Sequence, residues 1–406
     1  MPGLPAFCLR PRDLRRGAAL TLAFIAAVGA AAGTGCWDRA GAVGAAGAGL
    51  AAAGTQNPAA GSEAPRETKT GAGTATADRE AVARAAAEAA AEGKSGKKAA
   101  EEVVSRSGDR WGMVYDQGEY AAFTDDLDGR WTGVGLWIES RRDDRIAVEK
   151  VQPGSPADRS GLRAGDRLLS VDGHAVTGLR VCDVVALLRG GAGTPVVLHL
   201  TRDGADLTET LRREQLHTEP VTVRELPGGI TVIKVASFSR GSGEQVRAAV
   251  RAAGPGTGFM LDLRGNPGGL VTEAVTAASA FLDGGLVATY DVRGAQRALY
   301  ASPGGDTARP LVTLVDGGTM SAAELVTGAL QDRGRAVAVG TRTFGKGSVQ
   351  MPTPLPDGSV AELTVGTYRT PAGRSLDGSG ITPDLVAGDG AEERARAVLG
   401  GLGVGP

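Results

Sequence analysis

Histidine and cysteine are scarce in this chain, three of each in 406 residues, and the shortage removes several chemistries at once. Cys8 and Cys36 fall in the N-terminal leader, leaving Cys182 alone in the remainder, so no disulfide can form within the folded part. No Cys/His cluster has ligand spacing, so no metal site is expected, and nothing calls for another cofactor. A net charge of −2 gives no electrostatic reason to expect nucleic acid or an acidic membrane surface as partner. Lysine is the third shortage. After Lys234 only Lys346 remains, in a stretch well supplied with arginine. Arginine stays protonated at any working pH, whereas an ammonium can be driven neutral by burial, so an Arg-biased stretch keeps lysine where a titratable amine is needed.

What is present sharpens this. Lys346 sits in Thr343-Phe344-Gly345-Lys346-Gly347-Ser348-Val349-Gln350, and Ser321 lies 25 residues upstream in Val315-Asp316-Gly317-Gly318-Thr319-Met320-Ser321-Ala322-Ala323-Glu324. A glycine turn there leaves a strand and Ser321 opens a helix, exposing a hydroxyl where free N–H groups can stabilise an oxyanion. Taken alone, Ser321 fits a plain N-cap with Glu324 completing a capping box. A serine with a desolvated lysine is, however, a known replacement for Ser-His-Asp. His174 and His199 fall inside a separate unit at residues 132–213 and His217 in the connector after it, so none is placed beside the Ser321 turn and a histidine-based triad is disfavoured.

Composition divides the chain. Arg10, Arg12, Arg15 and Arg16 precede an apolar run from about Gly17 to Gly33, followed by Cys36, so residues 1–36 read as an export signal or a membrane anchor. Arginines on that side would send the remainder outward, which predicts an exported chain of the cell envelope or exterior. Gly33-Thr34-Gly35-Cys36 is similar to the end of a lipoprotein signal, making lipidation at Cys36 a third reading, without the usual Leu. Residues 37–100 read as a low-complexity Ala/Gly-rich tether, part of a disordered leader, with a helix expected near 78–92. Residues 101–131 supply Trp111, Tyr115, Tyr120, Phe123 and Leu127 for a small N-terminal helical element. After Glu219, short apolar strands alternate with helical stretches, which implies an α/β core with its sheet covered by helices. That core is placed at 214–390, with a tail at 391–406.

Residues 132–213 form a further unit. The run Ser155-Pro156-Ala157-Asp158-Arg159-Ser160-Gly161-Leu162-Arg163-Ala164-Gly165-Asp166-Arg167-Leu168-Leu169-Ser170-Val171-Asp172-Gly173 resembles PDZ domains of bacterial proteases. Such a domain adds a ligand's C-terminal residues as a strand and holds the free carboxylate on backbone N–H groups of a Gly-rich loop. By position that loop is Gly133, Val134, Gly135 and Leu136, with residues 183–189 as the helix beside the groove.

Asp262-Leu263-Arg264-Gly265-Asn266-Pro267-Gly268-Gly269 leaves another strand through glycines. Together with the Ser321 and Lys346 segments, and from about residue 103 to 387, the chain resembles the C-terminal processing peptidases. These tail-specific proteases are a Ser/Lys family with a ClpP/crotonase-like core and an inserted PDZ domain. The resemblance implies Ser321 as nucleophile, Lys346 as general base and Gln350 as the residue orienting the lysine. It also implies oxyanion donors at the N–H of Ala322 and of Gly268 or Gly269. The implied partners are protein or peptide substrates with free C-terminal tails. Two departures stand out: Met320 where the family has a small residue, and Asp316 near a usual Asn. Two other classes remain open at this point, a catalytically silent PDZ adaptor and a crotonase-type acyl-CoA enzyme, the latter leaving the PDZ insertion unexplained.

Overall fold

The computed structural model describes residues 75–141, 145–292 and 295–404. The basic and apolar leader, Cys36 and most of the Ala/Gly-rich stretch therefore lie outside the described residues. Helices α1 (Arg79–Ala91) and α2 (Gly96–Ser107) come first, capped by Asp78, which accepts from the N–H of Glu80, and by Ser95, which accepts from that of Lys98. The fold thus starts before the boundary expected at residue 100, which falls inside α2. Alanine-rich sequence reads as tether when no partner is in view, but Ala is also the strongest helix former. Here Val82, Ala86, Ala100 and Val104 bury together against Leu355, Ala361 and Leu363. Strand β1 (Met113–Tyr115) then pairs antiparallel with residues 360–362, and α3 (Gln117–Leu127) opens on a capping box of Asp116 and Glu119.

A PDZ-like unit follows β2 (Arg130–Gly133). It contains β3 (Leu136–Arg141), β4 (Arg145–Val151), α4 (Pro156–Arg159), β5 (Arg167–Val171), β6 (His174–Ala175), α5 (Val181–Leu188), β7 (Pro195–Arg202) and β8 (Ala205–Arg212). The sheet order is β3-β4-β5-β7-β8, all antiparallel, with β6 on β5. Alternating residues Val196, Leu198 and Leu200 of β7 join Ile138, Val148, Leu168 and Val184 in a core of its own. Strand β9 (Glu214–His217) returns to pair with β2, Gly133 opposite Glu214, so entry and exit lie side by side.

The remaining chain builds β10 (Val221–Leu226), β11 (Ile230–Val235), α6 (Ser242–Ala252), β12 (Gly258–Asp262), α7 (Val271–Ala278), β13 (Leu286–Val292), β14 (Ala295–Tyr300), β15 (Leu311–Val315) and α8 (Ala322–Asp332). It ends with β16 (Val337–Gly340), β17 (Ser348–Pro354), β18 (Val360–Arg369), β19 (Leu385–Val386) and α9 (Ala391–Gly401). One sheet runs β10-β11-β12-β15-β16-β19, parallel except for the β10/β11 hairpin. Every residue of β12 and β15 is buried, as a parallel sheet covered on both faces requires. Ile233, Val235, Phe259 and Leu261 face α6, α7 and α8, whereas Ile230, Val232, Met260, Val312 and Leu314 face α9. The expected tail is therefore a structural layer: Ala391, Ala395 and Leu399, four apart, form the buried stripe of α9. A second sheet, β1-β18-β13-β14 with β17 on β18, carries the N-terminal helices.

Candidate active site

Three neighbouring parallel strands, β12, β15 and β16, release their loops at the same carboxyl edge, which is where open α/β sheets place their sites. These loops are the glycine turn 263–269, the Ser321 turn and the Lys346 loop. Side chains lace the first two together. Asp316 Oδ1 accepts from the N–H of Gly265 (2.9 Å) and of Gly318 (2.9 Å), Thr319 Oγ1 donates to the Leu263 carbonyl (2.9 Å), and the N–H of Met320 donates to the Asn266 carbonyl (2.8 Å). Asp316 thus supplies an acceptor that both turns share.

Ser321 has φ 52° and ψ −117°, a backbone region costly for any residue with a Cβ. Such strain, of order 1–3 kcal/mol, persists only where surroundings over-determine it. The enforcing group is Glu324, fully buried, whose carboxylate accepts from four donors. Its Oε2 receives the N–H of Ser321 (2.9 Å) and of Lys346 (2.8 Å), and Oε1 receives Thr343 Oγ1 (2.5 Å) and the N–H of Gly345 (2.7 Å). One side chain therefore clamps the serine turn to the lysine loop. Burial pushes its pKa up while these hydrogen bonds oppose the shift. The N–H of Phe344 adds a bond to the Thr319 carbonyl (3.1 Å).

Of the two glycines considered as oxyanion donors, Gly268 already gives its N–H to Asn266 Oδ1 (2.8 Å). The N–H groups of Gly269 and Ala322 have no partner among the described residues. A Cβ on Gly268 would stand 3.0 Å from Ser321 Cβ and 3.0 Å from Ala322 N, so the two turns touch at this point and only glycine fits. The geometry favours Gly269 with Ala322 as the free donor pair.

Lys346 is held from its other side by residues 376–381. The N–H of Gly378 donates to the Gly345 carbonyl (2.9 Å), and a Cβ on Gly347 would collide with the Asp377 backbone. The residue is half-buried overall, but its ammonium end is enclosed, and desolvation lowers its pKa from the ordinary lysine range against the opposing fields of Glu362 and Glu324. Among the described residues no carboxylate reaches Nζ at ion-pair distance. Glu362, on β18, is itself pushed up to about 7 by burial, with Lys346 as the opposing influence. Glu362 is not among the expected site residues, since a lone Glu in a strand pattern carries no signal until pairing sets β18 beside the lysine. Trp111, expected only to pack, has its ring 5.1 Å from Lys346 Nζ.

Gln350 makes no hydrogen bond to Lys346 among the described residues. Its Nε2 donates to Ser348 Oγ (2.7 Å) and Thr364 Oγ1 (3.4 Å), which places it behind the lysine loop. In the PDZ-like unit, Gly133 ends β2, Val134 and Leu136 are buried, and Gly135 has φ +83°. The carbonyls of Val134 and Gly135 accept from Ala157 (2.9 Å) and Gln152 (2.9 Å), while the N–H groups of both residues lack a partner among the described residues. The three histidines are elsewhere, on β6, β7 and β9, and among the described residues no His/Cys/Asp/Glu group could hold a metal.

Residues 229–387 match Peptidase family S41, and residues 148–202 match a PDZ domain. A carboxyl-terminal-processing protease of Synechocystis is 33% identical over 298 residues, covering 71% of this chain and 70% of that protein. Carboxy-terminal processing protease CtpA of Bacillus subtilis is 31% identical over 294 residues, 71% of this chain and 63% of CtpA, so the chain spans under two thirds of that longer relative. Among solved structures, a photosystem II D1 C-terminal processing protease is 32% identical with a TM-score of 0.51, covering 72% of this chain and 82% of the other. With a PDZ domain set into an S41 fold and such relatives along most of its folded length, the chain belongs to peptidase family S41, among the carboxyl-terminal processing proteases.

Proposed function

We propose that this protein is an exported serine endopeptidase that binds protein C-terminal tails through its PDZ domain and cuts peptide bonds with Ser321 and Lys346. The observation that carries the reading is the Glu324 clamp, which fixes a strained serine and a desolvated lysine on loops from adjacent strands. Neutral Lys346 takes the proton of Ser321 as its Oγ attacks the carbonyl. The N–H groups of Ala322 and Gly269 receive the oxyanion, and the ammonium then protonates the leaving amine. Water repeats the sequence on the acyl-enzyme. Unpartnered N–H groups at Val134 and Gly135 support capture of a terminal carboxylate. Export rests on the arginine-flanked apolar leader alone.

The test compares the chain with Ser321→Ala and Lys346→Ala on an unfolded protein bearing an apolar C-terminus. Both variants are expected to lose cleavage, at least ~10³-fold, while still binding the tail peptide. Equal cleavage by all three would make the protein a PDZ adaptor on a silent core instead.

A further inference from the structure

The N-terminal segment does more than pack. Asp109, buried, ties it to β18 through two hydrogen bonds, Oδ2 accepting from the N–H of Thr364 (2.9 Å) and Oδ1 from Thr364 Oγ1 (2.7 Å), while Oδ1 also accepts from the N–H of Trp111 (3.2 Å) and Gly112 (2.8 Å) and so fixes the turn that carries the indole. That anchorage sets the Trp111 ring 5.1 Å from Lys346 Nζ and 5.8 Å from the Phe344 ring, with the Arg110 guanidinium 4.6 Å from the same indole. We propose that Trp111 is a positioning residue whose ring face stabilises the positive charge that appears on Lys346 when the lysine takes the serine proton.

The inference rests on the Ser/Lys reading and extends it. A base in a water-poor site must be neutral before reaction and tolerably charged just after it. A carboxylate at ion-pair distance would stabilise the ammonium too early and leave the lysine unable to act, and among the described residues none is that close. A ring face attracts a cation within about 6 Å, most strongly for tryptophan, without the full charge of a carboxylate. Packing alone accounts poorly for this indole, because its Nε1 is buried without a partner, a loss that phenylalanine would avoid. The charged groups facing Lys346 from other elements are Glu362 of β18 and Glu324 of α8, and the Arg110 guanidinium lies over the same ring. The two carboxylates are untouched when only the ring is altered, and Arg110 keeps its charge at every pH of the test.

The full chain carrying tryptophans of increasing fluorination at position 111 alone tests this, since fluorine drains the ring face and preserves its shape. Plateau kcat/KM is expected to fall stepwise, roughly 3- to 30-fold across the series, through kcat more than KM. The acid limb of the profile moves to lower pH as the ammonium loses its partner. Trp111→Leu should move both in the same direction, with Trp111→Phe in between. A flat fluorine series, with Ser321→Ala and Lys346→Ala inactive, overturns the proposal and leaves the dyad standing. An acid limb that moves upward in Trp111→Leu would also overturn it, assigning the ring only to excluding water. Cleavage surviving in Lys346→Ala would remove the dyad and this inference together.

Discussion

At the scale of single residues, the site keeps two groups in states they would not choose in water. Ser321 occupies a positive-φ conformation whose steric cost glycine does not bear. Ser321→Gly should therefore be more stable than Ser321→Ala by about 1 kcal/mol, as thermal or urea unfolding would reveal. Glu362 is the second case. With a folded pKa of about 7 against an ordinary 4.5, it stays protonated over a window in which the unfolded chain has lost that proton. The folded state binds more protons there, so stability falls as pH rises from about 4.5 to 7, by up to about 3 kcal/mol. Glu362→Gln should flatten that slope in urea titrations at several pH values. Lys346 acts in another window, because its lowered pKa imposes a penalty at neutral pH that fades as pH climbs toward 10.5. In activity the same glutamine variant removes a negative field that favours the ammonium, so the acid limb of kcat/KM should move to lower pH. An unchanged limb would mean that Glu362 does not couple to the base.

Elements owe their positions to a few buried polar side chains. Glu324→Ala would orphan four donors and release the lysine loop from α8, at a cost of about 3 kcal/mol or more. Hydrogen exchange should show opening of residues 343–348 ahead of the sheet, and cleavage should be lost. Asp109→Ala should instead free residues 109–112 from β18, exposing Lys346 from the N-terminal side. These contacts explain what the sequence could reveal. The strand-to-helix turn at Ser321, the lone lysine and the glycine turns were legible because each is a local pattern. The four-donor use of Glu324 was hidden, since a Glu three residues after a helix-opening Ser reads as a cap whatever else it binds. Gln350 illustrates the converse: family position pointed to the lysine, whereas register on β17 turns its amide toward Ser348 and Thr364. Residues 79–100 read mostly as a tether because their partner, β17 with β18, is some 250 residues away in the chain.

For the whole molecule, the question is how the PDZ domain is coupled to the S41 core. The PDZ domain has its own core, and its entry and exit are the paired strands β2 and β9. Among the described residues its further ties include polar ones, with Arg189 bonding Asp126 of α3 at 3.3 Å and Gln152 Nε2 donating to the His217 carbonyl (3.0 Å), and aromatic ones at Trp131, whose ring lies 5.5 Å from the Arg189 guanidinium and 6.3 Å, edge-on, from the Trp137 ring. Ties of this kind are weaker than a shared apolar core and permit reorientation without unfolding. α3 also connects to the S41 core, because Arg240 bonds Asp128 (2.8 Å) and the N–H of Arg240 donates to the Leu127 carbonyl (2.9 Å). Motion of the PDZ domain would therefore be felt at α3, and through β1 at the sheet bearing Glu362. If tail binding works through this route, Asp126→Ala should change cleavage of long substrates several-fold while a short peptide lacking a tail is cut at an unaltered rate. Removal of residues 134–213, with Gly133 joined to Glu214 by a short turn, should abolish the preference for tailed substrates and leave the S41 core folded. Unchanged turnover of both substrate lengths in the excised chain would show that the PDZ domain neither tethers nor gates, and the polar ties would then serve only to hold it in place.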